Sequence, residues 1–161
     1  SDERAPRRAL LRIRLMHFDG TAIAERSMPV EVAALASTAV LPIDLGAFDP
    51  RTSFAAIALQ QQGQVLASNT VYFAKPLELA LPAPNIATQI RPMPGGYLVE
   101  LRSSVLARAV QLDFGDLDAK PDDNFFDLLP HEARRVTVRT SASLAQLQAA
   151  LQLRSLATAM K

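Results

Sequence analysis

Apolar residues in this sequence recur at every second position in short runs, and the runs are separated by turn-forming residues. Leu11, Ile13 and Leu15 alternate with Arg12 and Arg14, the spacing of a strand with one buried face. Asp19-Gly20 follows at once and supplies the positive φ angles of a tight turn, so a second strand from about Thr21 to Val32 is expected to fold back on the first. Pro29 lacks an amide hydrogen, which bends that partner or confines it to an edge. Ala39, Leu41, Ile43 and Leu45 share a face and predict a third strand. Phe54 to Leu59 and Gln64 to Phe73 predict another pair around Gln61-Gln62-Gly63. A run of about five short strands is an all-β pattern.

The stretch from Lys75 to Pro84 carries Pro76, Pro82 and Pro84, which stiffen an extended connection and cannot donate ladder hydrogen bonds. The domain boundary is placed there, giving units of residues 1–75 and 76–161. Because Leu77 and Leu79 alternate with Glu78, the connector is expected to double as the first strand of the second unit. The strand pattern then restarts with Ile86 to Arg91, a Pro94-Gly95-Gly96 turn, and Tyr97, Val99 and Leu101 inward against Glu100 and Arg102 outward. Val110, Leu112 and Phe114 share a face opposite Gln111 and Asp113, and Val136 with Val138 marks a later strand. From Leu144 the leucines also fit helical spacing, predicting a short helical turn over Leu144 to Ala149 and a last strand from Ala150 to Leu156.

Composition narrows the function more than it names it. With 161 residues, 49% hydrophobic and 20% charged, the chain is globular and long enough for one ordinary domain or two small ones. A net charge of +1 provides no overall field to gather nucleic acid or an anionic membrane, and no apolar run approaches the roughly 20 residues needed to span a bilayer. Charge is nonetheless uneven: Arg4, Arg7, Arg8, Arg12 and Arg14 crowd the start, while Asp113, Asp116, Asp118, Asp122, Asp123 and Asp127 crowd a later loop. Both read as solvated surface rather than as a basic arm and a cation site. The absence of cysteine removes disulfides, thiolate metal sites and cysteine nucleophiles together, leaving the compartment open. Arginine far outnumbers lysine, a compositional hint of a GC-rich bacterial source.

The most specific stretch is Asp122, Asp123, Asn124, Phe125, Phe126, Asp127, Leu128, Leu129, Pro130, with Glu132 after one further residue. It resembles the DN-(Y/F)-FDLLPGE segment near the C-terminus of beta-mannosidases of glycoside hydrolase family 2. Leu151, Leu153, Arg154, Ser155 and Leu156 look like the L-x-V-R-SL strand that closes these enzymes. Ser68, Asn69, Val71, Tyr72, Phe73, Lys75, Pro76, Leu77 and Leu79 resemble the end of their penultimate sandwich and the link into the last one. The resemblance implies two tandem immunoglobulin-like β-sandwiches, a mannosidase Ig/CBM-like one followed by a C-terminal Ig-like one. The first is short of the usual strand number and is expected to be truncated at its N-terminal side, which predicts self-association through an open strand edge. Where the family has glycine, His131 stands here; if that turn needs positive φ, the histidine is strained.

The resemblance also implies that both catalytic carboxylates of the retaining mechanism lie in a barrel outside this sequence, so that barrel, in the same polypeptide, is the implied partner. No residue here is nominated as catalytic, cofactor-binding or metal-ligating. His17 and His131 fall in separate units; His17 is expected to pack at its strand end and His131 to sit in a turn. The acidic loop lacks the glycine and glutamate positions of an EF-hand. Asn124 is expected to bond its own backbone in an Asx-type turn, and Phe125 or Phe126 to bury its ring. The rival from another class is a carbohydrate-binding module, and a related exo-glycosidase such as an exo-glucosaminidase shares part of the signature. With no tryptophan, sugar stacking would fall to Tyr72 and Tyr97, both expected in the core.

Overall fold

A computed structural model describes residues 8–31 and 44–159. The chain divides into two compact units, Ser1–His17 with Thr21–Leu79 and Phe18–Gly20 with Ala80–Lys161. The described part of the first unit holds strands β1 (Arg8–His17), β2 (Ala22–Glu31), β3 (Ser53–Gln61) and β4 (Gln64–Tyr72). They form one antiparallel sheet in the order β2-β1-β3-β4. Pro29 lies in β2 at the edge of that sheet, where its missing N–H breaks no interior ladder. The expected strand around Ala39 to Leu45 falls mainly outside the described residues.

The alternation in β1 does what the sequence requires. Ile13, Leu15 and Ala55 are buried, and Leu11, Ile23, Leu45, Phe48, Ile57, Val71 and Phe73 pack against them. Phe48 and Phe73 meet edge to face with ring centroids 4.7 Å apart. On the opposite face Phe54 is fully buried and stacks with Tyr72 at 6.3 Å. The β3–β4 turn uses Gln62 (φ 52°) and Gly63 (φ 78°), both in the left-handed region that matches hairpin twist.

The connector is not a strand. Pro76–Glu78 is a single 3₁₀ turn, with Glu78 N donating to Lys75 O at 2.8 Å and the Glu78 carboxylate accepting from Lys75 N at 3.3 Å. Pro76, with its φ fixed and no amide hydrogen to lose, suits the first position of such a turn. Leu77 is therefore 86% exposed while Leu79 is buried, so their alternation reflects a turn and not a pleat.

The second unit is a two-sheet sandwich. One sheet has β5 (Ala87–Met93), β6 (Gly96–Arg102), β10 (Arg134–Arg139) and β8 (Lys120–Pro121) in the order β5-β6-β10-β8. The other has β11 (Gln152–Arg154), β7 (Ala107–Asp113) and β9 (Phe126–Leu128) in the order β11-β7-β9. Val99, Leu101, Val136 and Val138 from the first sheet meet Val110, Leu112, Phe126 and Leu128 from the second in one buried cluster, closed by Phe114 and Leu147. Leu147 comes from helix α1 (Leu144–Ala150), whose Ser143 and Gln146 cap each other reciprocally: Gln146 N donates to Ser143 Oγ at 3.1 Å and Ser143 N to Gln146 Oε1 at 2.9 Å.

The last strand is shorter than expected. It stops at Arg154, and helix α2 (Leu156–Ala159) follows. Thr158 ends the strand, because its Oγ1 accepts from Ser155 N at 2.9 Å while Ser155 O accepts from Thr158 N at 3.1 Å.

Candidate functional site

The Asp122–Glu132 segment joins β8 to β10 through β9, and its side chains are spent on backbone. β9 pairs with β7 at only two points, Ala107↔Leu128 and Val110↔Phe126, with one extra residue on β7 between them. That extra residue is accommodated by Ala109 at φ 53°, and Asp127 opposite accepts from Ala109 N at 2.9 Å. Beyond Val110 the strand β9 has ended, yet β7 continues. Asn124 takes the missing place: its Oδ1 accepts from Leu112 N at 2.8 Å and its Nδ2 donates to Leu112 O at 3.1 Å. One side-chain amide thus completes a ladder rung that no backbone supplies. The expected Asx-type contact survives only as a secondary bond from Phe125 N to Asn124 Oδ1 at 3.2 Å.

Asp122 repeats the device on the other sheet, its N donating to Thr137 O at 2.8 Å and its Oδ1 accepting from Thr137 N at 2.9 Å. Asp123 accepts from Asn124 N at 2.9 Å and pairs with Arg134, whose guanidinium lies 4.6 Å from the Phe126 ring centroid. Of the two phenylalanines Phe126 is the buried one; Phe125 sits at φ 57° with its ring exposed. Asp113 at the end of β7 accepts from Gly115 N at 2.9 Å and pairs with Arg154 at 3.2 Å.

The segment closes in a turn over Leu129–Glu132, with Glu132 N donating to Leu129 O at 3.3 Å. Pro130 occupies the second position and His131 the third at φ 63°, the place where this type of turn wants glycine. His131 is strained there, and its backbone is held on both sides: its N donates to Ser103 O at 2.7 Å and its O accepts from Arg102 Nη1 at 3.0 Å. Its side chain is exposed. His17 ends β1 but is exposed as well, so it does not pack as expected.

Both tyrosines are half-buried against protein rather than displayed on an exposed face. Tyr97 is half-buried and its hydroxyl donates to Ala142 O at 2.8 Å, and Tyr72 is half-buried against Phe54. Among the described residues no group of three or more His, Cys, Asp or Glu is placed to hold a metal, and no helix is long and apolar enough to cross a membrane. A shallow cleft of about 290 Å³ is lined by Thr88, Ile90, Gln148, Leu151 and Leu153, none of them ionisable. The Glu25 carboxyl is held below the usual range by its 2.6 Å bond from Arg12 Nε on the face of the first sheet.

Seven strands in two facing sheets, with a corner tied by side-chain rungs, define the second unit as an immunoglobulin-like sandwich. The chain belongs to the mannosidase family of Ig-fold domains: residues 1–76 match the mannosidase Ig/CBM-like domain and residues 81–159 the Ig-fold domain of mannosidases. The fold is also that of a solved structure, the beta-D-mannosidase from Dictyoglomus thermophilum, at 20% identity and a TM-score of 0.69 over 92% of this chain. This chain spans 18% of the length of that one. No curated protein sequence matches it.

Proposed function

We propose that the chain is the non-catalytic C-terminal region of a beta-mannosidase, divided at residues 75 and 76, and that it braces the catalytic barrel of the same polypeptide. The parent enzyme would remove terminal non-reducing β-linked mannose by a retaining mechanism whose two carboxylates lie in that barrel. The observation that carries this reading is the succession of two mannosidase-type domains over residues 1–76 and 81–159. It is supported by the employment of the signature's polar side chains, since Asp122, Asn124 and Asp127 hold backbone groups of neighbouring strands. A sugar-stacking role finds little to use in Tyr72, half-buried against Phe54, or in Tyr97, half-buried with its hydroxyl bonded to Ala142 O.

The test is the purified chain offered nitrophenyl β-mannoside and, separately, manno-oligosaccharides in a calorimeter. Neither turnover nor saturable heat is expected. Release of nitrophenol would overturn the non-catalytic reading, and saturable heat would replace bracing with sugar binding. Self-association belongs to the same proposal and is read from the concentration dependence of sedimentation.

A further inference from the structure

The outer face of the β5-β6-β10-β8 sheet has a composition that solvation alone does not call for. Alternation along these strands sends Val99, Leu101, Val136 and Val138 into the core, so their sequence neighbours point the other way. The register sets Gln89, Glu100 and Arg135 in one row, Arg91, Leu98 and Thr137 in the next, and Met93, Gly96, Arg139 and Lys120 in a third, with Arg102 beside Ala87. Five cations therefore share this face with one strand carboxylate, Glu100, in a chain whose net charge is only +1. Glu100 is already bonded to Arg135 at 3.3 Å, and Asp122 at the margin is bonded to Thr137 N. Among the described residues Arg91, which bonds Gln89 at 3.4 Å, and the exposed Arg139 and Lys120 have no carboxylate partner.

Four of the five cations are arginines, and they surround Leu98 and the exposed Met93. Arginine and methionine are enriched in protein interfaces, and the guanidinium fork matches carboxylates in a way that the lysine ammonium does not. We infer that this face is a docking surface for a carboxylate-rich protein surface. The inference deepens the bracing role by naming the face and the chemistry of what it braces against, and it rests on that reading for the partner being protein.

The probe is fluorescent poly-L-glutamate, followed by anisotropy at low salt and at about 0.15 M salt, where the Debye length is about 8 Å. The chain should bind it, and the double variant Arg91→Gln/Arg139→Gln should bind about tenfold more weakly. The charge-matched control Arg26→Gln/Arg51→Gln on the first unit should bind as the parent chain does. An equal loss in the control would reduce the effect to net charge and overturn the assignment, as would no binding at low salt. Binding to heparin without binding to poly-L-glutamate would overturn it in favour of an anionic glycan. Failure of the bracing reading shows separately, as turnover or sugar heat in the assays above.

Discussion

Replacing Asn124 by alanine should destabilise the second unit by about 2–4 kcal/mol. The substitution leaves Leu112 N and Leu112 O without the bonds they now make at 2.8 and 3.1 Å, in a strand whose Leu112 side chain is 3% exposed. Each backbone group stranded in this way costs about 1–3 kcal/mol, and water admitted by the smaller side chain recovers part of it. Against the 5–15 kcal/mol typical of a whole domain the loss is large, and for a unit of this size it corresponds to a fall in Tm of roughly 10 °C or more. Scanning calorimetry and urea unfolding of the whole chain measure it directly. Asn124→Asp sharpens the test, since the carboxylate still accepts from Leu112 N but sets a charged oxygen against Leu112 O. That repulsion raises the folded-state pKa of the new carboxyl above its unfolded value. The stability regained on protonation is therefore fully present below the unfolded value, near 3.9, and is lost as pH rises through the folded one. Asn124→Asp should thus be closest to the parent chain in acid and weakest at neutral pH. A cost below about 1 kcal/mol for alanine, or an aspartate variant indifferent to pH, would refute the ladder-rung account.

Two further substitutions probe the backbone. His131→Gly should stabilise the second unit by about 1 kcal/mol in urea unfolding, because it relieves a non-glycine residue at φ 63° without touching the bonds of the turn's backbone. Gly96→Ala should cost about 3 kcal/mol or more and lower the Tm: its new Cβ overlaps Val138 O and would come within 3.0 Å of Val138 C, where β6 is held between β5 and β10.

Most strands were legible because burial on one face leaves a period of two in the sequence. β7 and β10 bury the residues their alternation singles out, and β1 and β6 do so for Ile13, Leu15, Val99 and Leu101, with Leu11 and Tyr97 partly buried at the margins. The turns at Gln62-Gly63 and Pro94-Gly95 were legible for a different reason, since positive φ is cheap only for a few residue types. Where the two signals conflict, alternation misleads. Leu77-Glu78-Leu79 reads as a pleat, but Pro76 and the Glu78 side chain stabilise a tighter turn. Thr158 likewise cut the final strand short through a side-chain bond that no periodicity reveals. At the signature the strain of His131 was readable from a missing glycine, whereas the role of Asn124 was not. An amide can serve its own turn or a strand twelve residues earlier, and only the third dimension decides which. Polar side chains three apart, Asn124 and Asp127, flanking a buried aromatic about ten residues beyond the end of a strand, are the trace such a clip leaves in sequence.

The clip has a kinetic consequence. Asn124 closes a loop of only 12 residues back to Leu112, whereas β10 must find β6 across a far longer stretch of chain. Each doubling of loop length adds about 0.6 kcal/mol to the entropy of closure, so after the local β5–β6 hairpin, where Met93 faces Gly96, the β7–β9 corner is cheaper to close than the β6–β10 pairing. The bulge at Ala109 and the rung at Leu112 fix the register of that corner, so the conspicuous segment of this sequence should pace the joining of β10 to β6, which φ-values above about 0.5 at Asn124 would bear out and values near zero would refute.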